Sequence, residues 1–485
     1  MSAGEDVNCE WLALRWVDNV HSCAVAVLAH RLAERGAAVR MVEQDTSGLR
    51  AGDYLLEASD EVRRAVFASG LDAVSVSAPA VPVASHPVSV PRIAIFGGAA
   101  CAYPYLGYYA QSLASLGLPF DVLDGEPIAA GALDAFDLLI LPGGFTTWGL
   151  DRNEGVVGID GAIRRFLARG GACIASCGGA FYLAEGRPHW LGIAHASPRY
   201  SHEYLRSGAG LVSVELDDGP LARGCAPIVE MPYYHGPIFE AVRAPTGVAA
   251  HFCALTLPAR LPIDNPLNEA RFTAEMAGKA AILTALGGTG RAVLFSPHPE
   301  MGDVVRKYIA LDSYVAHYLP IRGAAVMEQT LDFYEPNDSP SFRLILNAID
   351  YLLGAGEPGA RPRYNGDAQM TDASAWHDAC GALLAAIGRA LDALAPTDDP
   401  LGQLVRREIA RLRTLAASLS DVAVPAAGSA GALRVLHDAC AVVDASMGRS
   451  AQPAQIRSMA QDLLAIELPL RYLEALARTM SFNSD

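Results

Sequence analysis

The sequence predicts an α/β protein in three parts: a small N-terminal α/β unit, a central domain with a mostly parallel, doubly wound sheet, and a C-terminal bundle made only of helices. Three observations lead to this prediction. Beyond residue 91, short apolar runs of strand length alternate with segments of helical pattern, which is typical of a parallel sheet. Stretches rich in proline or glycine interrupt the chain before this part and after it. The last part carries apolar stripes at helical spacing, which indicate packed helices.

The N-terminal unit is expected to occupy residues 1–85. Its predicted elements are, in order, strand 11–17, helix 21–35, strand 38–43, strand 54–57, helix 60–69 and strand 73–76. Residues 77–91 hold four prolines among mostly small residues, a composition that favours an extended, semi-rigid linker. A domain boundary is therefore predicted in this stretch.

The central domain is expected to occupy residues 91–355. Its first predicted elements are strand 92–96, a helix near 108–116, strand 120–123, a strand that runs into Gly144, helix 159–168 and strand 172–176. Ligand sites of parallel sheets lie at the carboxyl ends of the strands. Gly144 and Cys177 both fall at such ends, so they are expected beside a ligand site.

The residues around Cys177 predict a strand that turns abruptly into a helix. A nucleophile elbow forces its reactive residue into a strained conformation and needs small residues two positions before and after it, here Ala175 and Gly179. This spacing selects Cys177 over Ser176, which would need a small residue at Ile174. A helix N-terminus also favours a thiolate. A buried structural cysteine beside a tight turn is the alternative interpretation.

Two other stretches favour catalysis. The apolar run Asp137–Leu141 leads into Gly143 and Gly144, where a backbone N–H could approach a substrate carbonyl oxygen. A later strand delivers His298 and Glu300, and in extended chain this spacing places both side chains on one face. His298 could then take the thiol proton while Glu300 orients the imidazole. Each stretch alone is an ordinary turn or strand end, and only their combination favours a catalytic site.

In this order, Pro142-Gly143-Gly144, the elbow at Cys177 and His298-Pro299-Glu300 resemble the class I glutamine amidotransferase fold and its Cys-His-Glu triad. The resemblance is closer to the amidotransferase-like domain at the N-terminus of eukaryotic biotin-protein ligases. Its further motifs are Cys177-Gly178-Gly179-Ala180-Phe181 and Tyr234-His235-Gly236-Pro237-Ile238-Phe239. The resemblance covers residues 91 to 355.

This resemblance implies a set of site residues. They are catalytic Cys177, His298 and Glu300, an oxyanion hole from the backbone of Gly144 and Gly178, and substrate contacts at Gly143, Phe181, Tyr234, His235 and Gly236. Ala175 and Phe181 stand where working glutaminases usually carry glycine and glutamine, which argues against glutamine as the substrate. Nothing resembles the ATP-binding catalytic domain of a biotin ligase, so biotinylation is not predicted.

The predicted function is therefore an amidotransferase-like or amidohydrolase-like enzyme that acts by acyl transfer through a Cys177 thioester on a small carboxamide or acyl substrate. The alternative is an inactive regulatory or binding module of the same fold with a helical partner-docking domain. No cofactor is predicted. No metal site is predicted either, because the nine cysteines are scattered without CxxC pairs or metal-ligand spacing.

Charge and composition exclude several classes of partner. A net charge of -16 argues against nucleic acid and against an anionic membrane surface, both of which attract clustered Lys and Arg. Residues 93–120 carry no charge but are interrupted by glycine and proline, so no membrane span is predicted. The first ten residues are polar and acidic and lack the pattern of a signal peptide, so a cytoplasmic location is expected.

The remaining chain is expected to form a long connection and then the bundle. Residues 301–340, with a predicted helix at 303–318, are expected to be a lid, a partner surface or simple decoration. The bundle is predicted at 365–485, with helices 373–394, 401–419, 430–447 and 453–480. Pro469 is expected to kink or split the last helix. Because the bundle has no signature of chemistry, a homodimer contact or a protein partner is predicted there.

Overall fold

The computed structural model describes residues 10–19, 21–46, 48–77, 84–101, 104–144, 149–199, 209–255, 269–317, 334–354, 373–394, 400–422, 430–450 and 456–484. Parts of the two predicted linkers, at 78–83 and 355–372, lie outside these residues. The middle of the predicted 301–340 connection, at 318–333, lies outside them too.

The N-terminal unit contains a five-stranded sheet whose neighbouring strands all pair antiparallel. Its strands, in the spatial order β4-β1-β3-β2-β5, are β1 (Glu10–Leu14), β2 (Val39–Val42), β3 (Tyr54–Glu57), β4 (Ala73–Ser77) and β5 (Ser85–Pro87). Its helices are α1 (Ser22–Glu34) and α2 (Asp60–Ser69). The prediction of a linker throughout 77–91 was wrong, because β5 pairs with β2 there. Pro87 is tolerated because β5 is an edge strand.

The central sheet has eleven strands and is mixed. The strands are β6 (Ile93–Phe96), β7 (Phe120–Leu123), β8 (Leu138–Leu141), β9 (Ala172–Ser176), β10 (Ser197–Pro198), β11 (Ala209–Leu216), β12 (Ile228–Tyr234), β13 (Phe239–Glu240), β14 (Gly247–Leu255), β15 (Ala280–Gly287) and β16 (Gly290–Phe295). The main path runs β12-β11-β14-β15-β16-β9-β8-β6-β7, with β10 paired to β13 and β13 to β15.

Strands β16, β9, β8, β6 and β7 pair parallel, whereas β10 to β15 pair antiparallel. The expectation of a mostly parallel sheet was therefore wrong for the second half of the domain. The connection between β15 and β16 shows why, since Gly288 and Thr289 form a two-residue turn. A connection this short joins only antiparallel strands, because a parallel crossover needs a dozen or more residues.

The central domain contains eight helices in its described residues, several of which contact the sheet. They are α3 (Tyr105–Ser115), α4 (Gly125–Ala129), α5 (Leu150–Glu154), α6 (Ile159–Ala168), α7 (Gly178–Leu183), α8 (Glu269–Glu275), α9 (Gly302–His317) and α10 (Phe342–Leu353). The sequence pattern explains α6, whose buried residues Ile159, Ala162, Ile163, Phe166 and Leu167 recur at helical spacing.

The C-terminal helices pack on the central domain rather than standing apart from it. They are α11 (Ala373–Ala393), α12 (Pro400–Ser418), α13 (Ala430–Ser450) and α14 (Ile456–Ser484). Helix α14 contacts α3 and α9, and its Leu468 packs in one buried cluster with Tyr108, Met301 and Val304. Of the predicted kink or split at Pro469, the split was wrong, since α14 continues through this residue, and the kink stays a prediction. Burial against several helices outweighs the roughly 3 kcal/mol that an interior proline costs.

Among the described residues, no helix combines the length and the apolar character needed to cross a membrane.

Candidate active site

The candidate site lies where three neighbouring parallel strands end. Strand β9 lies between β8 and β16, with Ala175 opposite Leu141 and Ser176 opposite Phe295. The segments that follow these strands carry Gly144, Cys177 and His298. The sheet topology therefore brings together the three predicted pieces, which are far apart in the chain.

The turn at Cys177 has the geometry of a nucleophile elbow. Cys177 has a positive φ of 48° with ψ -107°, and it immediately precedes α7. A non-glycine residue in such a sparsely populated region costs about 1–3 kcal/mol. The Gly179 N–H donates to the Pro142 carbonyl at 3.2 Å, and a Cβ at Gly179 would lie 2.2 Å from the Leu141 carbonyl oxygen. Close approach of the two loops therefore requires glycine there and holds the Gly143-Gly144 turn beside the thiol.

His298 and Glu300 form a completely buried pair. Nδ1 of His298 lies 2.8 Å from Oε1 of Glu300, and both side chains are 0% exposed. The other carboxylate oxygen accepts a hydrogen bond from Ser176 Oγ at 3.2 Å, and Ser176 in turn hydrogen-bonds the Tyr109 hydroxyl. Sequence reasoning missed the roles of Ser176 and Tyr109. No sequence signal pointed to them, because only the fold places the strand before Cys177 beside the strand that leads to His298.

The Tyr234 carbonyl oxygen joins the thiol to the imidazole. The Cys177 thiol donates to it at 3.3 Å, and Nε2 of His298 lies 3.4 Å from it. A carbonyl oxygen and a carboxylate can only accept, so a His298 ring with a proton on each nitrogen satisfies both contacts. In that form Glu300 balances the charge of the imidazolium.

The electrostatics of His298 agree with this protonation state. Burial disfavours the charged ring, but the Glu300 carboxylate and the contact with Cys177 outweigh burial and raise the pKa of His298 to about 10. Burial, and then the charge of His298, lower the pKa of the neighbouring His235. The pKa values of these two histidines are therefore shifted in opposite directions.

Aromatic rings cover the pair. The Tyr105 ring stacks on His298 with centroids 5.5 Å apart, and it lies 6.3 Å from the Tyr234 ring. A Cβ at Gly143 would lie 2.8 Å from the Tyr105 ring, so the missing side chain makes room for this cover. Cys177 is only 4% exposed. Tyr105 was not predicted, because no spacing relates it to the triad residues in the sequence.

The Tyr234-His235-Gly236 loop lies directly against the strand that leads to His298. A Cβ at Gly236 would lie 1.8 Å from the Ser296 carbonyl oxygen, and the Gly236 carbonyl accepts from the Tyr233 hydroxyl at 2.9 Å. His235 has a left-handed φ of 54°. This packing aims the Tyr234 carbonyl at the thiol, so the loop meets the site through its backbone as well as its side chains.

The remaining predicted positions lie close by. Gly144 has a left-handed φ of 108°, and Gly178 belongs to the first turn of α7, where amides lack an intrahelical acceptor. The Phe181 side chain is 1% exposed and packs against Trp190 with centroids 5.7 Å apart. The contribution of Phe181 to substrate binding stays a prediction.

A second thiol lies beside the glycine turn. Cys101 is buried, and its Sγ donates to the Gly143 carbonyl at 3.5 Å. Burial raises the pKa of Cys101 to about 12, so this thiol stays protonated at neutral pH. Cys101 therefore makes a natural control for Cys177. In the described part of the chain, no group of three or more His, Cys, Asp or Glu side chains is arranged to hold a metal ion.

No protein-family profile matches this sequence, and no curated protein matches it. Solved structures do align with the chain. A glutamine amidotransferase from Thermotoga maritima aligns at 15% identity and a TM-score of 0.34, over 54% of this chain and 97% of that one. A candidate GMP synthase subunit from Thermoplasma acidophilum aligns at 14% identity and a TM-score of 0.29, over 44% of this chain and 85% of that one. A β-galactosidase from a Rahnella species aligns at 15% identity and a TM-score of 0.26, over 49% of this chain and 32% of that one. At this level of similarity, function has to be inferred from the site itself.

Proposed function

We propose that this chain is a cysteine-dependent enzyme of the amidotransferase-like or amidohydrolase-like kind, which transfers an acyl group through a thioester on Cys177. The observation that carries the proposal is the convergence of the Cys177 thiol and Nε2 of His298 on one carbonyl oxygen, at 3.3 and 3.4 Å, with Glu300 on the far side of the ring. A nucleophile, an acid–base group and an orienting acid in this order have the geometry of a catalytic triad.

The reactive form pairs a Cys177 thiolate with the His298 imidazolium. The sulfur attacks the acyl carbon, a C–S bond forms, and the C–N or C–O bond to the leaving group breaks as His298 gives that group a proton. Water or an amine then attacks the thioester and loses its proton to His298, and the C–S bond breaks to restore the thiolate. Glu300 keeps the ring oriented through Nδ1 in both steps.

Backbone amides would stabilise the oxygen that becomes negative in each step. The N–H groups of Gly144 and Gly178 are the proposed donors, because the first belongs to the turn held beside the elbow and the second opens α7. Loss of one such donor costs about 100- to 1000-fold in rate in enzymes of this type.

The surroundings of the thiol favour a small acyl or carboxamide substrate over free glutamine. Phe181, which stands where glutaminases usually carry a polar glutamine, packs in the core against Trp190. The nearest cover of the site is aromatic, from Tyr105 and Tyr234. The resemblance to the Cys-His-Glu triad of class I glutamine amidotransferases supports thioester chemistry at Cys177. Nothing in the sequence resembles the ATP-binding catalytic domain of a biotin ligase, so biotinylation is not proposed.

The site must open before it can react. In the closed state the Tyr234 carbonyl accepts from both reactive groups, and Cys177 is 4% exposed. Movement of the Tyr234-His235-Gly236 loop would free the thiol and admit a substrate carbonyl where the Tyr234 carbonyl now lies. Substrate binding and loop movement are therefore coupled in this proposal.

The test uses p-nitrophenyl acetate, which delivers an acetyl group and releases a coloured phenolate. Intact-protein mass spectrometry should find one acetyl group, and peptide mapping should locate it on Cys177. Cys177→Ala should lose this adduct, Cys101→Ala should keep it, and His298→Ala should slow its formation. Equal acetylation of several cysteines, insensitive to His298→Ala, would overturn the proposal.

That contrary result would favour the second candidate, a binding module that keeps the fold without turnover. The closed state of the site is the observation in its favour, since the Tyr234 carbonyl caps the thiol and the Tyr105 ring stacks on His298.

A further inference from the structure

A chain of two hydroxyl groups reaches the second oxygen of the Glu300 carboxylate. Oε1 of Glu300 lies 2.8 Å from Nδ1 of His298, and Oε2 accepts from Ser176 Oγ at 3.2 Å. Ser176 Oγ is in turn hydrogen-bonded to the Tyr109 hydroxyl. All four side chains are completely buried. The carboxylate is therefore held from two sides, by an imidazole on one oxygen and by the hydroxyl chain on the other.

The direction of each hydrogen bond in this chain follows from counting protons. A carboxylate can only accept, so the single Ser176 hydroxyl proton goes to Glu300. Ser176 Oγ then has no proton left for Tyr109, so the Tyr109 hydroxyl donates to it. Burial, and then the charge of Glu300, raise the pKa of Tyr109, which keeps this hydroxyl protonated. Both hydroxyls therefore direct their protons toward the carboxylate.

A completely buried carboxylate needs partners for both of its oxygens. Removing an ionised carboxyl group from water is costly unless charge and hydrogen bonds compensate for the lost hydration. His298 is the partner of one oxygen, and the hydroxyl chain is the partner of the other. A hydrogen bond to an ionised group is roughly twice as strong as one between neutral groups. The chain therefore favours the form in which Glu300 is ionised and the Nδ1 proton stays on His298.

The two hydroxyls come from elements that also carry other parts of the site. Ser176 is the last residue of β9 and directly precedes Cys177, so one stretch of backbone carries the thiol and the first hydroxyl. Tyr109 lies on α3 one turn after Tyr105, whose ring stacks on His298. Helix α3 thus supports both members of the buried pair. Helix α14 packs against α3, which connects the C-terminal helices to this support.

We propose that Ser176 and Tyr109 are positioning residues of the candidate active site, whose hydroxyl chain fixes the Glu300 carboxylate and, through it, the orientation of the His298 ring. Neither hydroxyl takes part in a bond that forms or breaks during acyl transfer. A fixed ring keeps Nε2 of His298 close to the Cys177 thiol, where it can protonate the leaving group. The expected effect on rate rests on the proposed function, whereas the orientation of the ring can be measured without any reaction.

The first test is the rate at which p-nitrophenyl acetate acetylates Cys177. Ser176→Ala removes the donor to Glu300 and should slow acetylation roughly tenfold, as expected for the loss of a hydrogen bond to a charged group. Tyr109→Phe keeps the ring and removes only the second hydroxyl, so it should slow acetylation roughly threefold. Ser176→Thr keeps the hydroxyl and should react faster than Ser176→Ala.

A double variant distinguishes a chain from two independent contacts. If Tyr109 acts only through Ser176, then Tyr109→Phe should cause no further loss of rate once Ser176→Ala is present. Two independent contacts would instead multiply their separate losses of rate. Multiplied losses in the double variant would overturn the proposal.

Tyr308→Phe is the matched control for the loss of a buried hydroxyl. The Tyr308 hydroxyl also donates to a buried carboxylate, Glu467, at 2.6 Å, but this contact lies outside the triad. Tyr308→Phe should therefore acetylate at the rate of the unchanged protein. Circular dichroism verifies that all the variants are folded.

Proton NMR measures the orientation of His298 without any reaction. The Nδ1 proton between His298 and Glu300 should give a low-field resonance that is absent from His298→Gln. Ser176→Ala and Tyr109→Phe should broaden this resonance, because a less constrained ring exchanges its proton with water faster. Tyr308→Phe should keep the resonance sharp.

The outcomes separate this proposal from the proposed function. Rates and resonances of Ser176→Ala and Tyr109→Phe that match those of Tyr308→Phe would disprove a positioning role for the two hydroxyls. If the unchanged protein is not acetylated on Cys177, the proposed function alone fails, because the Nδ1 resonance still tests the hydroxyl chain.

Discussion

Two of the regions in which the described residues bury charge are built in different ways. In the candidate active site, His298 and Glu300 stand two residues apart, and one cation faces one anion. Between α9, α12 and α14, Lys307 pairs with Glu408 at a separation of 101 residues, and several cations share two carboxylates. The first pair joins residues close in the chain, whereas the second set joins the bundle to the central domain.

This difference separates two purposes of buried charge. The active-site pair is supported from both sides, by Ser176 on the carboxylate and by the Tyr234 carbonyl on the imidazole, which fixes the orientation of one ring. The ion network between α9, α12 and α14 instead holds these three helices together. The rate of acyl transfer should therefore respond most to changes at the His298–Glu300 pair. The free energy of unfolding should respond most to changes in the ion network.

The largest effect is expected from His298→Gln on acyl transfer. Loss of the imidazolium that pairs with the reactive thiolate should slow acetylation of Cys177 by p-nitrophenyl acetate about 100- to 10,000-fold. The measurement is the initial rate of phenolate release. His235→Gln is the control, because His235 lies near His298 and its pKa is shifted in the opposite direction. An equal loss of rate in both variants would show that any substitution near the Cys177 thiol disrupts the reaction.

The network should dominate stability. Glu467→Gln removes the carboxylate that Arg411 and Arg471 share, and it should lower the free energy of unfolding by about 3–5 kcal/mol, as expected when a buried pair loses one partner. Glu474→Gln is the matched control on the same helix. The Glu474 side chain is 19% exposed, and its replacement should cost about 1 kcal/mol or less. Urea denaturation measures the free energy of unfolding of both variants. Similar midpoints for the two would contradict the expectation that the Glu467 carboxylate matters more for stability.

The active-site pair should also give stability a distinctive pH dependence. Because the folded pKa of His298 is raised to about 10, the folded state binds one proton more than the unfolded state above the ordinary value of 6.5. The contribution of the His298–Glu300 pair to the free energy of unfolding is complete below pH 6.5 and is lost as the pH rises through 10. The stability difference between the unchanged protein and His298→Gln should shrink across this range, by at most about 1.4 kcal/mol per pH unit. A stability difference between the two proteins that does not change with pH would contradict a raised pKa of His298.

The smallest expected effect concerns strain at the elbow. Cys177→Gly should be more stable than Cys177→Ala by about 1 kcal/mol, because glycine tolerates the positive φ of 48°. Thermal unfolding of the two inactive variants measures the difference. The reverse order would show that burial of the β-carbon outweighs backbone strain at this corner.

Local patterns predicted much of the architecture and the core of the candidate site. The bounds of α2, α6, β3, β7 and β9 agree with those predicted, because apolar periodicity acts over a few residues. The elbow was predictable for the same reason, since small residues two positions either side of Cys177 are a local requirement. The spacing of His298 and Glu300 likewise depends only on two neighbouring positions.

Features built from distant residues were not predictable. The spatial order of the strands in the central sheet, the stacking of Tyr105 on His298, and the contact of Tyr234 with both Cys177 and His298 each join remote segments. The continuous helix through Pro469 also depends on its neighbours, because packing outweighs an unfavourable local preference.

The amino-acid order alone was enough to indicate an α/β core, a sharp strand-to-helix turn at Cys177 and a histidine–carboxylate pair at His298 and Glu300. Only the tertiary structure brings Cys177, His298 and Glu300 together at the ends of neighbouring strands and places the Tyr234 carbonyl over the thiol. It also packs the last helix against α3 and α9. The physical reason is range: propensity and spacing act between near neighbours, whereas burial and charge pairing depend on which distant segments come into contact.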